Sequence, residues 1–157
     1  MNGLVIARAL HVLAIVVWIG GVAMVTTIVL PALRRGELGP DRLAAFHAIE
    51  RRFARQARGA TLLAGASGLY LLMRLGLWRR LGTASFWWLH AMIGLWLVFS
   101  LLLFVAEPAV LHRRFQAWAE ADPRAAFAWI QRAHWVLLAA GLLTIAGAVA
   151  GSQGAGF

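Results

Sequence analysis

The sequence predicts an all-α integral membrane protein, an antiparallel four-transmembrane-helix bundle with cytoplasmic amphipathic helical extensions, built as one domain over residues 1–157. Three observations carry this reading. Of the 157 residues, 62% are hydrophobic and only 13% charged, with a mean hydropathy of +0.76; ordinary soluble domains are about 45–50% apolar. Four stretches, at residues 9–33, 59–77, 86–106 and 135–151, approach or exceed the roughly 17–25 apolar residues that cross a bilayer. The arginines between them fall mostly on one side.

The first stretch is too long for the apolar region of a signal peptide. Its small-residue site, Gly21-Val22-Ala23, lies inside a run that stays apolar to Leu30, so it reads as a true span rather than a cleaved leader. Pro40-Asp41 then opens a helical pattern in which Leu43, Phe46, Ile49 and Phe53 share one side and Arg the other. Such a helix either lies along the membrane surface or runs straight into the second span. Arg74, near the end of that span, is free to snorkel. Beyond Glu107-Pro108, the spacing of Leu111, Phe115 and Trp118 extends the third span into the cytoplasm. Asp122-Pro123 is an N-cap followed by Pro at the first helical position. From there Phe127, Ile130, His134 and Leu137 form one stripe leading into the fourth span. Ala60, Ala64 and Gly68, and the pair Gly147 and Gly151, permit close helix approach and read as intrachain packing before dimerisation. No repeat or dividing linker is visible, and SQGAGF at residues 152–157 reads as a frayed end.

Alternating helices place Arg34, Arg35, Arg42, Arg51, Arg52, Arg55, Arg58, Arg113, Arg114, Arg124 and Arg132 on one face, and Arg8, Arg74, Arg79 and Arg80 on the other. The richer face is expected to be cytoplasmic, leaving both termini periplasmic in a bacterial inner membrane. The net charge of +9 is then a matter of topology and anionic lipid, not nucleic acid. The absence of Cys removes disulfides and thiolate ligands. The absence of Lys removes an amine nucleophile other than the N-terminus.

The five histidines are His11, His47, His90, His112 and His134. On this topology His11 and His90 sit on different spans, each about one turn below the periplasmic face. An unpartnered polar group in hydrocarbon costs several kcal/mol, so each ring needs a hydrogen bond, water or a metal. One reading makes them interfacial residues bonded to water or a backbone carbonyl. The other makes them an opposed pair sharing a metal. Four scattered Met, no Cys and no carboxylate in the outer half favour axial ligation of a haem iron over a zinc or copper cage. Gly94, one turn below His90, and Gly20-Gly21 let a flat ring approach the backbone. Arg8, Arg74, Arg79 and Arg80 share the face where propionates would lie, although each also suits plain interfacial snorkelling. Tyr70 either donates to a propionate or substrate, or belongs to the aromatic belt with Trp78, Trp87, Trp88 and Trp135. Trp18 either walls the site or packs the core. His47, His112 and His134 are candidates for a second site, or else structural or pH-sensitive residues. Glu107 reads as a relay carboxylate or an interfacial partner for Arg.

The segment LHVLAIVVWIGG, with Leu10-His11, Trp18 and Gly20-Gly21, resembles the first span of the copper resistance protein D (CopD)-like membrane proteins and of the related HemJ-type protoporphyrinogen oxidases. WWLHAMIGLW, with His90 and Gly94, and QRAHWVLL, with His134, fit a four-helix, multi-histidine member of that group. The resemblance covers most of the chain in layout and about a dozen residues in motif. It implies a membrane haem b protein or a copper-handling one. The functional lysine of the HemJ type has no counterpart here.

The expected function is a b-type haem protein with His11 and His90 as axial ligands, transferring electrons or performing a small redox reaction at the periplasmic side with quinone or a periplasmic carrier. Two histidines on one iron leave no open position, which favours electron transfer over oxygen activation. One haem b is expected, with a second drawn from His134 and His47 or His112. The alternatives are copper transport on the same histidines, a protoporphyrinogen oxidase-like activity, and a scaffold whose histidines bind nothing. A homodimer is compatible with all of these.

Overall fold

The structure, a computed structural model, describes residues 2–154, with side chains described outside 107–113. Among the described residues every regular element is helical. Helix α1 is the continuous stretch Gly3–Arg35, α2 is Arg42–Arg74, α3 is Trp87–Leu101, α4 is His112–Ala121 and α5 is Pro123–Ser152. Three stretches, Gly3–Arg35, Ala84–Ala106 and Pro123–Ser152, are long and apolar enough to cross a membrane. Helix α2 is not among them. It is long, but its first half carries Arg42, Arg51, Arg52, Arg55 and Arg58, and its apolar part, 59–73, is closed by Arg74.

Local chemistry sets the helix ends. The Asp41 carboxylate accepts from Ala44 N at 2.9 Å and the Asp122 carboxylate from Ala125 N at 3.0 Å, each satisfying a donor that the first turn leaves free. The amphipathic segment and the second apolar stretch form one unbroken helix, so the segment runs straight on rather than lying flat. Helix α1 closes on Gly36 at φ +78°, with Gly36 N–H donating to Leu33 O and Glu37 N–H to Ala32 O. This is a Schellman closure, which needs a residue free to turn left-handed.

Both prolines inside helices sit beside a widened turn. Val25–Val29 is π-helical, just before Pro31, whose ring cannot donate and clashes with the preceding turn. Thr26 and Thr27 donate their hydroxyls to Val22 O and Ala23 O at 2.6 and 2.8 Å. A second π stretch, Leu102–Leu111, spans Pro108 and joins α3 to α4, so the third apolar helix does continue past Pro108.

Helices α1 and α2 pack antiparallel along most of their length. Gly3 lies against Tyr70, His11 against Gly68, and Gly21 against Phe53. A Cβ on Gly21 would stand 2.6 Å from the Phe53 ring. The Trp96 indole of α3 donates to Thr61 O of α2 at 2.9 Å. Gly147 and Gly151 of α5 receive the rings of Trp87 and Trp88, so this pair serves packing within the chain, as the small-residue spacing predicts.

Two cores result. The central one draws Ala14, Trp18, Ile19 and Val22 from α1, Ala60 and Ala64 from α2, Phe99 from α3 and Leu138 from α5. The second, at the Arg-rich end, gathers Val25, Leu30, Leu33, Phe46, Phe115, Ala119, Ala126 and Phe127. There the rings of Phe46, Phe115 and Phe127 lie 5.3–5.8 Å apart, in tilted and edge-on contacts each worth about 0.5–1.5 kcal/mol beyond burial. The aromatic stripe read from the sequence is the wall of this core.

Candidate functional site

His11 is half-buried on the face of α1 that meets α2. Its Nδ1 stands 2.9 Å from Ala64 O and 3.2 Å from Ser67 Oγ. The Ser67 hydroxyl already donates to Leu63 O at 2.5 Å, so Nδ1 carries the proton and donates. The neutral ring then presents Nε2 as a lone pair, with no hydrogen bond to it among the described residues. Only a glycine at 68 leaves room for the ring, because a Cβ there would come 3.0 Å from His11 Cε1. An N–H tied to a carbonyl with a free lone pair opposite is the state in which an imidazole binds a metal.

His90 is held differently. It is exposed, with Nδ1 3.1 Å from Phe86 O one turn back and Nε2 2.8 Å from Leu81 O in the preceding loop. Both nitrogens face acceptors, so a neutral ring satisfies one at a time. Gly94, one turn on, is also exposed, and a Cβ there would meet no atom within 4 Å. His11 thus turns toward α2 and His90 toward its own loop. Neither ring's hydrogen bonds reach the other.

The other expected site residues take separate places. Trp18 is 2% exposed and meets Phe99 edge-on at 4.8 Å, so it is core. Tyr70 is on the surface with the Arg74 guanidinium 6.0 Å from its ring centre. Arg8 is exposed, and Arg80 covers the Phe86 ring at 4.8 Å. Trp78 and Trp87 are exposed beside helix ends, as belt residues are, whereas Trp135 is exposed in the middle of α5.

At the Arg-rich end, His134 Nδ1 donates to Ile130 O, 2.9 Å away on its own helix, and His47 lies 3.2 Å from Glu50. The side chains of His112 and Glu107 lie outside the described residues. Among the described residues no three His, Cys, Asp or Glu converge on a common point.

Several polar contacts escaped the sequence reading. Ser67 holds His11, and its place in the second apolar stretch was the available signal. Arg58 Nε donates to Leu103 O at 3.0 Å. Buried Trp18 Nε1, Thr61 Oγ1 and Ser100 Oγ, from α1, α2 and α3, have no hydrogen-bond partner among the described residues. No family model, curated protein or solved structure matches this chain.

Proposed function

We propose that the chain crosses the bilayer four times as an antiparallel bundle, with its Arg-rich end cytoplasmic and both termini periplasmic, and that His11 is a ligand to a b-type haem near the periplasmic side. Support for the fourth crossing comes from α2 lying along α1 from Gly3–Tyr70 to Gly21–Phe53. A helix of 33 residues is about 50 Å long, against a hydrocarbon core of about 30 Å. Its flanking arginines can snorkel.

The single observation that carries the haem reading is the placement of His11 Nδ1 on Ala64 O and Ser67, which leaves Nε2 as a free lone pair. That half of the ligand set fits an axial position. His90 is the candidate second ligand; to reach the same iron it would have to leave the Leu81 carbonyl and turn from its own loop toward α1. Its exposure leaves release from that carbonyl unhindered by packing. When bound, haem supplies one-electron redox chemistry with quinone or a periplasmic carrier. The chain's own part would be to fix the His11 ring through α2, with Arg8 and Arg74 as the cations available to propionates.

The test is an absorption spectrum of protein purified in detergent from haem-replete cells. A sharp Soret band with split α and β bands on reduction is expected, lost in His11→Ala and converted to a high-spin form in His90→Ala. A colourless protein, or one that takes up Cu(I) stoichiometrically without haem, overturns the reading. So does an unchanged spectrum in both variants.

A further inference from the structure

A groove of about 490 Å³ runs along the outer side of the α1–α2 seam. Its floor is Val16, Val17 and Gly20 of α1, and Arg52 and Gln56 of α2 form its polar edge. It lies where the two helices differ most in character. Helix α1 remains apolar through Met24, while α2 changes from the apolar 59–73 to the cationic segment with Arg58, Arg55, Arg52 and Arg51. A groove at that level has hydrocarbon at one end and headgroups at the other.

We infer that this groove binds one anionic phospholipid, its phosphate on Arg52 and its acyl chain lying over Gly20 toward Val16. The inference rests on the membrane reading above but not on haem. Charge selects the headgroup. Arg51 is committed to His47 O, Arg34 to Gln131 and Arg35 to Glu37, and Arg55, though also exposed, does not line the groove. Arg52 is exposed and makes no hydrogen bond or ion pair among the described residues, and no acidic residue lines the groove. Shape selects the tail. A Cβ on Gly20 would meet nothing within 4 Å, so the missing side chain leaves a shelf rather than making room for a protein neighbour. Gln56 adds an amide donor one turn from Arg52, within reach of a second headgroup oxygen.

Native mass spectrometry of the full chain in detergent, with phosphatidylglycerol or phosphatidylcholine added at equal concentration, tests this. One phosphatidylglycerol should remain bound at activation energies that strip phosphatidylcholine. Arg52→Gln should lower its occupancy about fivefold, the effect of one cation at an anionic surface. Gly20→Leu should fill the shelf and lower it similarly, with the helices still packed because its Cβ meets no protein atom within 4 Å. Arg51→Gln should leave occupancy within twofold of wild type. Equal retention of the two lipids, wild-type occupancy in both groove variants, an equal loss in Arg51→Gln, or a co-purifying neutral quinone in place of phospholipid would each overturn the inference.

Discussion

Arg58 of α2 donates its Nε to the carbonyl of Leu103, 45 residues away, at 3.0 Å. Leu103 lies in the π-helical stretch Leu102–Leu111, where the residue five positions on is Pro108. A π turn would bond that carbonyl to the N–H of the fifth residue, and proline has none. The guanidinium therefore serves an acceptor that the chain's own backbone leaves open. Arg58→Leu should destabilise the protein by about 1–3 kcal/mol, the loss of a part-buried hydrogen bond from a charged donor, read as a lower melting temperature in detergent. In a Pro108→Ala background, which restores an N–H, the same substitution should cost less. A purely additive double-mutant cycle would show that the carbonyl is not the reason for the contact.

His11 should be a neutral imidazole protonated on Nδ1, because Ala64 O and Ser67 Oγ both lie on that side. Nitrogen-15 histidine spectra of the protein in detergent without added haem report the tautomer directly. Ser67→Ala should leave it unchanged, since the Ala64 carbonyl remains. Gly68→Leu should disturb it, because even a Cβ would stand 3.0 Å from the ring. A signal protonated on Nε2 in the wild type would remove the basis for ligation through that atom.

What the sequence made legible follows the range of the forces involved. Asp41 and Asp122 were readable as caps because a cap bonds a donor three residues on. The Phe46 stripe was readable because the Arg opposite it marks the other side. Depth along a helix follows from counting residues, which set the expectation of His11 and His90 at one level. Direction around the helix was not readable. Each residue turns the helix by about 100°, and α3 is apolar on all sides, with exposed Leu97, Val98 and Leu101 as greasy as buried Leu89 and Phe99. Nothing in such a pattern separates the lipid side, where His90 and Gly94 lie, from the side that meets α1. The partner of His11 sits 53 residues away, and inter-helix register of that kind depends on which small residues face which rings. The π turns escaped for a related reason: a proline announces a defect but not whether the helix bends, breaks or widens.

Gly151 and Gly147 test that register. A Cβ would come 2.2 Å from Trp88 and 2.4 Å from Trp87, closer than real atoms approach. Gly151→Ala and Gly147→Ala should each cost about 1–3 kcal/mol by overpacking, with the oligomeric state by light scattering unchanged. A shift in subunit number without loss of stability would mean that these glycines face another copy of the chain.

The unpaired hydroxyl of Thr61 gives a prediction of the opposite sign. Thr61 is 0% exposed and its Oγ1 has no partner among the described residues, whereas Thr144 donates to Ala140 O at 2.7 Å. Replacing Thr by Val keeps the shape and removes the hydroxyl. At position 144 this surrenders a hydrogen bond worth about 0.5–1.5 kcal/mol. At position 61 it removes a desolvated group that returns nothing, so Thr61→Val should raise the melting temperature while Thr144→Val does not. The Trp96 indole bonds the backbone carbonyl of Thr61 and not its side chain, so the α2–α3 contact should survive the change. A stability loss in Thr61→Val comparable to that at 144 would mean that the hydroxyl has a partner, an ordered water being the one its burial allows.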